Sequence, residues 1–374
     1  MTRCSAMPLL LLAGGLLIGG LLAGCPTAPP GPAPGPGAGS CAVPGQDAVL
    51  GGPLPTFLGD CPWGRDCGLQ DYLALPELFP EDRVEVSDEE LDALLRGWRD
   101  APGPQLAPDG AGDLRQRILE GTRLDVLLEG LAERPLDVAI KREGTDMTEW
   151  EGSWDDMDPP DMHYRELVVT DPLVGLMQVV VFLPEGEGPF PPVVVSHGHS
   201  DSPFGHIPRA DFGEMYLNAG YALILPGYRV SGGDDLEAYA TRELLKQGFT
   251  LLGIRMYEQL IARRIVAWLP EIDPCAPVGL VGHSGGSVSG NLTVTAPTEG
   301  LAFDAYVSDL ASVYFSWSET PGDRYLGDET VPALWQYSSA INTFDAVDIP
   351  LLHVPYGYPD GVQDQLDFFD DTIR

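Results

Sequence analysis

One serine in this sequence has the neighbours of an activated nucleophile. Ser284 stands at the centre of Gly282-His283-Ser284-Gly285-Gly286, which matches the pattern G-x-S-x-G. The pentapeptide alone is a weak signal, but here it follows an apolar predicted strand and opens a predicted helix at 285–295. A strand, a sharp glycine-rich turn and a helix expose the hydroxyl of such a serine, and the helix N-terminus offers N–H groups to negative charge. The context predicts that Ser284 attacks a carbonyl carbon.

Two further runs carry a resemblance to a known family. Val193-Val194-Val195-Ser196-His197-Gly198-His199 resembles the strand and His-Gly loop of α/β-hydrolases. The run at 219–232, with Gly220-Tyr221 and Tyr228-Arg229, resembles a strand and loop of prolyl oligopeptidases and their esterase relatives. The resemblance covers His163 to the C-terminus and extends to dienelactone hydrolases.

The resemblance implies a reaction and an oxyanion site. Backbone N–H groups of His199 and Gly285 would hold the oxyanion while Ser284 transfers an acyl group to water. The implied substrate is a small carboxylic ester. A serine peptidase of the prolyl-oligopeptidase type is an alternative, and the sequence does not separate esters from peptides or lactones. No metal or organic cofactor is needed for this chemistry.

The acid implied by the resemblance is Asp360, which follows the predicted strand at 349–355. In a catalytic triad the acid orients the histidine that accepts the serine proton. Asp309, which follows the preceding predicted strand, is the alternative acid.

The histidine of the triad is the unresolved part of the prediction, because in this fold it comes after the acid. The six histidines are His163, His197, His199, His206, His283 and His353, and all precede Asp360. Three explanations stay open. The chain is C-terminally truncated, it is an inactive hydrolase kept as a binding or scaffold lipoprotein, or an upstream histidine substitutes. For substitution His199 and His206 are the candidates, whereas His283 is expected to pack beside the elbow and His353 to lie in the core.

Apolar predicted strands alternate with predicted helices from residue 163 onward. Strands that are apolar throughout are typical of a parallel sheet covered on both faces. The predicted fold is therefore α/β, a mostly parallel α/β-hydrolase sheet with helices on both faces over 163–374, truncated at its C-terminus. A small helical region at 76–162 precedes it, with helices predicted at 87–98 and 113–131.

The N-terminus predicts export and lipid attachment. A basic start, an apolar run at 9–22 and the sequence Leu22-Ala23-Gly24-Cys25 are typical of a secretory signal peptide over 1–24. Its last four residues resemble the bacterial lipobox, which implies a lipid on Cys25 and a membrane-anchored lipoprotein at the periplasmic face or the cell surface. Residues 25–75 form a Pro/Gly-rich tether followed by a cysteine-pinned segment.

The cysteines predict disulfide bonds, and the net charge excludes one class of partner. In an oxidising compartment Cys61 and Cys67 are close enough to form a small disulfide loop, which leaves Cys41 and Cys275, although four cysteines allow three pairings. The formal net charge of −35 argues against nucleic acid as a partner, because phosphates would be repelled.

Overall fold

The structure, a computed structural model, describes part of the chain. The described residues are 111–131, 134–145, 163–198, 201–207, 212–229, 244, 249–296, 298, 300–309, 344–354 and 361–374. Cys25, Cys61, Cys67, His199 and Asp360 lie outside them, as does the helix predicted at 87–98. The roles predicted for these residues stay predictions, as does the C-terminal truncation.

The described elements alternate between strands and helices. The strands are β1 (Asp137–Gly144), β2 (His163–Asp171), β3 (Gly175–Leu183), β4 (Pro192–Ser196), β5 (Ala222–Gly227), β6 (Gly279–His283), β7 (Ala305–Asp309) and β8 (Leu351–Val354). The helices are α1 (Ala111–Thr122), α2 (Leu124–Leu128), α3 (Pro203–His206), α4 (Phe212–Asn218), α5 (Leu251–Val266), α6 (Gly285–Thr295) and α7 (Gly361–Thr372), with a 3₁₀ turn at Phe344–Ala346.

The described strands form one eight-stranded sheet in the order β1-β2-β3-β5-β4-β6-β7-β8. From β5 to β8 every neighbouring pair is parallel, and the pairs among β1, β2, β3 and β5 are antiparallel. The order reverses between β5 and β4, so β4 and β6 lie side by side. The carboxyl ends of β4, β6 and β7 therefore meet at one edge.

Helices cover both faces of this sheet, as the apolar strands predicted. On β6, Leu280 points towards α5 and α6, whereas its neighbour Val281 points towards α4 and α7. This follows from the period of two along a strand. Both side chains are fully buried, and burial of each contributes about 1.5–3 kcal/mol. The predicted fold class is confirmed.

Two features of the N-terminal part differ from the prediction. The helix predicted over 113–131 is broken at Arg123, whose φ of 60° is left-handed, so α1 and α2 are separate. Apolar spacing continues across such a break and does not reveal it. In addition, β1 pairs with β2, so the sheet begins before residue 163. The charged run Lys141-Arg142-Glu143 hid the strand pattern of β1.

Two further features are a disulfide bond and the character of the described helices. Cys275 is disulfide-bonded, and since the other five cysteines all precede residue 68, its partner lies outside the described residues. None of the described helices combines the length and apolarity needed to cross a membrane.

Candidate active site

Ser284 occupies a strained turn between β6 and α6. Its φ of 49° and ψ of −115° make it one of two non-glycine residues with positive φ in the described chain. Its N–H donates to the backbone oxygen of Asp309 at 2.8 Å, and its carbonyl accepts from the N–H of Ser287 at 3.0 Å. These bonds fix a conformation that costs on the order of 1–3 kcal/mol. The turn is a nucleophile elbow, as the pentapeptide predicted.

Glycines are required on both sides of the elbow because other backbone passes close by. A Cβ on Gly282 would lie 2.6 Å from the Cα of Ser287. A Cβ on Gly286 would lie 2.1 Å from the backbone oxygen of Ser196, at the end of β4. The loop that follows β4 is therefore in direct contact with the start of α6.

This contact places the end of β4 beside the N-terminus of α6, which begins with Gly285, one of the two residues predicted to hold the oxyanion. Gly285 is the first residue of α6, and N–H groups in a first helical turn have no acceptor within the helix. Gly198 lies against the elbow, since a Cβ there would be 3.4 Å from Ser284 Cβ. His199, the next residue, lies outside the described residues, so the N–H predicted for it stays a prediction.

A histidine and an aspartate pair immediately beside Ser284. His283 and Asp309 are register partners on the parallel strands β6 and β7. Nδ1 of His283 lies 2.6 Å from Oδ2 of Asp309, and their side chains are 18% and 11% exposed. A carboxylate only accepts hydrogen bonds, so Nδ1 of His283 is the donor. In the neutral ring this leaves the lone pair on Nε2.

A second histidine–carboxylate pair lies behind the first. His206 Nδ1 donates to Asp201 Oδ2 at 3.2 Å, and both side chains are buried. The ring of His206 packs on that of His283, with centroids 4.8 Å apart. Burial, the largest single effect, opposes the charged form of Asp201, but the hydrogen bond and charge of His206, the charge of His197 and the N–H of Ser202 together leave the pKa of Asp201 below its ordinary value.

A buried polar network supports the elbow on the face of the sheet that α5 and α6 cover. Nε2 of Gln259, on α5, lies 2.8 Å from Ser196 Oγ, 2.7 Å from Tyr228 Oη and 2.8 Å from Ser289 Oγ. Its Oε1 accepts from the hydroxyl of Thr293 at 2.6 Å. Because every member is buried and bonded, the network holds β4, β5, α5 and α6 in one arrangement.

His197 borders this network and packs against it. It is 1% exposed, and its ring lies 4.7 Å from the ring of Tyr228. Burial lowers the pKa of His197 to about 4. The ring is therefore neutral at pH 7 and packs the loop that carries Gly198.

The structure places the predicted site residues unequally. Ser284 and Gly285 stand where the motif predicted, and Asp309, the alternative acid, lies at the elbow. His283 is not merely a packing residue, because it binds Asp309. One signal could have revealed this: Val281 and His283 alternate on β6 as Val307 and Asp309 do on β7, so pairing of these strands puts both polar groups on one face.

Across the described residues, no group of three His, Cys, Asp or Glu side chains is arranged to hold a metal ion.

Comparison with known proteins adds structural neighbours. No family model matches the chain, and neither does any curated protein. Acetyl xylan esterase 1 from a Thermoanaerobacterium species is 15% identical, with 74% of this chain and 98% of that chain covered and a TM-score of 0.42. An acetyl xylan esterase from Paenibacillus sp. R4 is 11% identical, covering 75% and 99% with a TM-score of 0.44. Dienelactone hydrolase from Anabaena variabilis is 17% identical, covering 53% and 93% with a TM-score of 0.35.

The strand order and the elbow decide the fold. The chain has an α/β-hydrolase fold. The nucleophile elbow follows β6, and the loop after β4 lies beside it.

Proposed function

We propose that this protein hydrolyses carboxylic esters of small molecules, with Ser284 as the nucleophile. Ser284 Oγ bonds to the carbonyl carbon, the bond to the alcohol oxygen breaks, and the alcohol leaves with a proton. Water then attacks the acyl-enzyme and releases the acid. Backbone N–H groups of Gly285 and His199 are assigned to the oxyanion, and Asp360 or Asp309 to orienting the base.

The backbone of Ser284 is the observation that carries this proposal. A serine with a φ of 49° is strained, and strain at one residue persists only when the surrounding structure holds it. Here the hydrogen bonds of Ser284 to β7 and α6, and the tight contact of Gly286 with β4, provide that support. A turn held in this way presents its hydroxyl at the N-terminus of α6, where negative charge is stabilised.

A fluorophosphonate probe tests the proposal, because it phosphonylates activated serines. We expect full-length wild-type protein to be labelled at Ser284 and to release nitrophenol from 4-nitrophenyl acetate. Ser284→Ala should lose both, whereas Ser202→Ala, at the N-cap of α3, serves as a serine control. A folded wild-type protein that takes up no label and cleaves no ester would support the non-catalytic binding lipoprotein instead.

We further propose that the protein is exported and held at a membrane by a lipid on Cys25. The lipobox-like sequence supports this, and so does the disulfide at Cys275, since disulfides persist in oxidising compartments. Wild-type protein should partition into detergent with membranes, and Cys25→Ser should not. Recovery of that variant in the membrane fraction would contradict lipid attachment.

A further inference from the structure

The pair formed by His283 and Asp309 has the arrangement that a general base requires. A carboxylate on Nδ1 fixes the ring orientation and leaves Nε2 as the proton acceptor. The hydrogen bond of 2.6 Å supplies that orientation. At 18% exposure the His283 side chain is mostly shielded, yet it keeps an accessible edge.

The His283 ring and the Ser284 side chain are neighbours across one residue, Gly198. A Cβ on Gly198 would lie 3.2 Å from His283 Cδ2 and 3.4 Å from Ser284 Cβ. The Cδ2 side of the His283 ring and the Cβ of Ser284 therefore contact the same glycine, and Nε2 is the ring nitrogen bonded to Cδ2. A general base acts through a direct hydrogen bond or through one bridging water, and such catalytic hydrogen bonds often tighten only when substrate binds.

Neighbouring side chains hold the His283 ring in a fixed position. His206 packs behind the ring at 4.8 Å, and Asp201 binds His206 on the far side. His206 is buried in this second layer, farther into the structure than His283. His283 is thus the described histidine next to the serine in the chain, and the carboxylate on its Nδ1 leaves Nε2 as the proton acceptor.

We propose that His283 is the general base for Ser284 and that Asp309 is its positioning residue, an inference that rests on the proposed function. Nε2 of His283 takes the Ser284 proton, directly or through one water, as Oγ bonds to the carbonyl carbon. The same proton passes to the departing alcohol oxygen. In the second half water gives a proton to His283, the acyl bond breaks, and Ser284 is reprotonated.

The substitution His283→Gln separates a base from a structural bridge. Glutamine can still donate a hydrogen bond to Asp309, but it cannot accept and return a proton. We expect its fluorophosphonate labelling rate to fall on the order of 100-fold or more, with thermal melting close to wild type. The matched control is His163→Gln, an exposed histidine at the start of β2, which should label at the wild-type rate.

Asp309→Asn provides a second and independent variant. An amide in place of the carboxylate removes the anion that orients His283, so we expect labelling to slow by about tenfold or more. This variant decides the matter if His283→Gln does not fold. In His283→Ala, added imidazole should restore part of the labelling rate, which a structural role alone would not produce.

The inference and the proposed function fail in different ways. Labelling of His283→Gln at nearly the wild-type rate, with loss of label in Ser284→Ala, would overturn the inference and leave the function intact. Loss of labelling in His206→Gln, with labelling retained in His283→Gln, would likewise overturn the inference and leave the function intact. A wild-type protein that never labels would overturn both.

Discussion

The strain at Ser284 predicts that replacing this residue with glycine stabilises the folded protein. Replacing Ser284 with glycine removes the Cβ that makes a φ of 49° unfavourable. Replacing it with alanine removes only the hydroxyl and keeps the Cβ. Both variants lose the hydroxyl that is proposed as the nucleophile, so a comparison between them isolates the backbone contribution.

The expected difference follows from three contributions. Relief of the strained backbone contributes about 1–3 kcal/mol to the glycine variant. The greater freedom of glycine in the unfolded chain costs about 0.5–1 kcal/mol. Loss of the half-buried Cβ against Gly198 costs less than about 0.8 kcal/mol. We expect Ser284→Gly to be more stable than Ser284→Ala by about 1 kcal/mol.

Urea unfolding followed by circular dichroism measures this difference, provided that both variants unfold with the same dependence on urea. The glycine variant should also exceed the wild type in stability while taking up no fluorophosphonate. If Ser284→Ala proves as stable as Ser284→Gly, the strain at Ser284 is no larger than the opposing costs of glycine, about 1–2 kcal/mol, and it supports the proposed function less.

Three further predictions concern the surroundings of the elbow. His197 has a pKa of about 4 in the folded protein, against 6.5 for the free side chain, so the unfolded state binds the extra proton. Its contribution to stability is complete above pH 6.5 and is lost as the pH falls towards 4, by about 2 kcal/mol between pH 7 and pH 5. His197→Gln should therefore show a flatter dependence of unfolding free energy on pH, and an unchanged slope would contradict the assignment. Cys275→Ser should lower the free energy of unfolding by about 2–4 kcal/mol under oxidising conditions, and a reductant should lower the melting temperature of the wild type but not of the variant. Gly198→Ala should slow fluorophosphonate labelling about tenfold by wedging a methyl group between the serine and the neighbouring imidazole; Gly144→Ala, whose Cβ meets only ordinary contacts at 3.7 Å or more, should label normally.

The central strands could be predicted from the sequence for a physical reason. β4 and β6 are covered on both faces, so Val193-Val194-Val195 and Leu280-Val281 are uninterrupted apolar runs. β1 lies at the edge of the described sheet and carries Lys141 and Arg142, which bind the buried carboxylate of Glu166. Charged residues at these positions break the apolar pattern of a strand. The carboxylate that they bind belongs to β2, so the sequence of β1 alone does not explain them.

The candidate site was predictable in the same uneven way. Ser284 and Gly285 are set by a local motif in which neighbours along the chain determine the conformation. The pairing of His283 with Asp309 depends instead on the register of two strands separated by more than 20 residues. The residues around His283 do not reveal that register, so the sequence predicted only that His283 packs beside the elbow.

The network around Gln259 has a consequence for redesign of this protein. Its hydroxyl partners come from β4, the end of β5, and α6, and the side-chain amide of Gln259 contacts four of them. A segment taken from a relative would bring its own residue at one of these positions and leave the others unmatched in a dry interior. These positions must be exchanged together, so chimaeras are expected to fold stably only when the crossover points leave all of them in one parent.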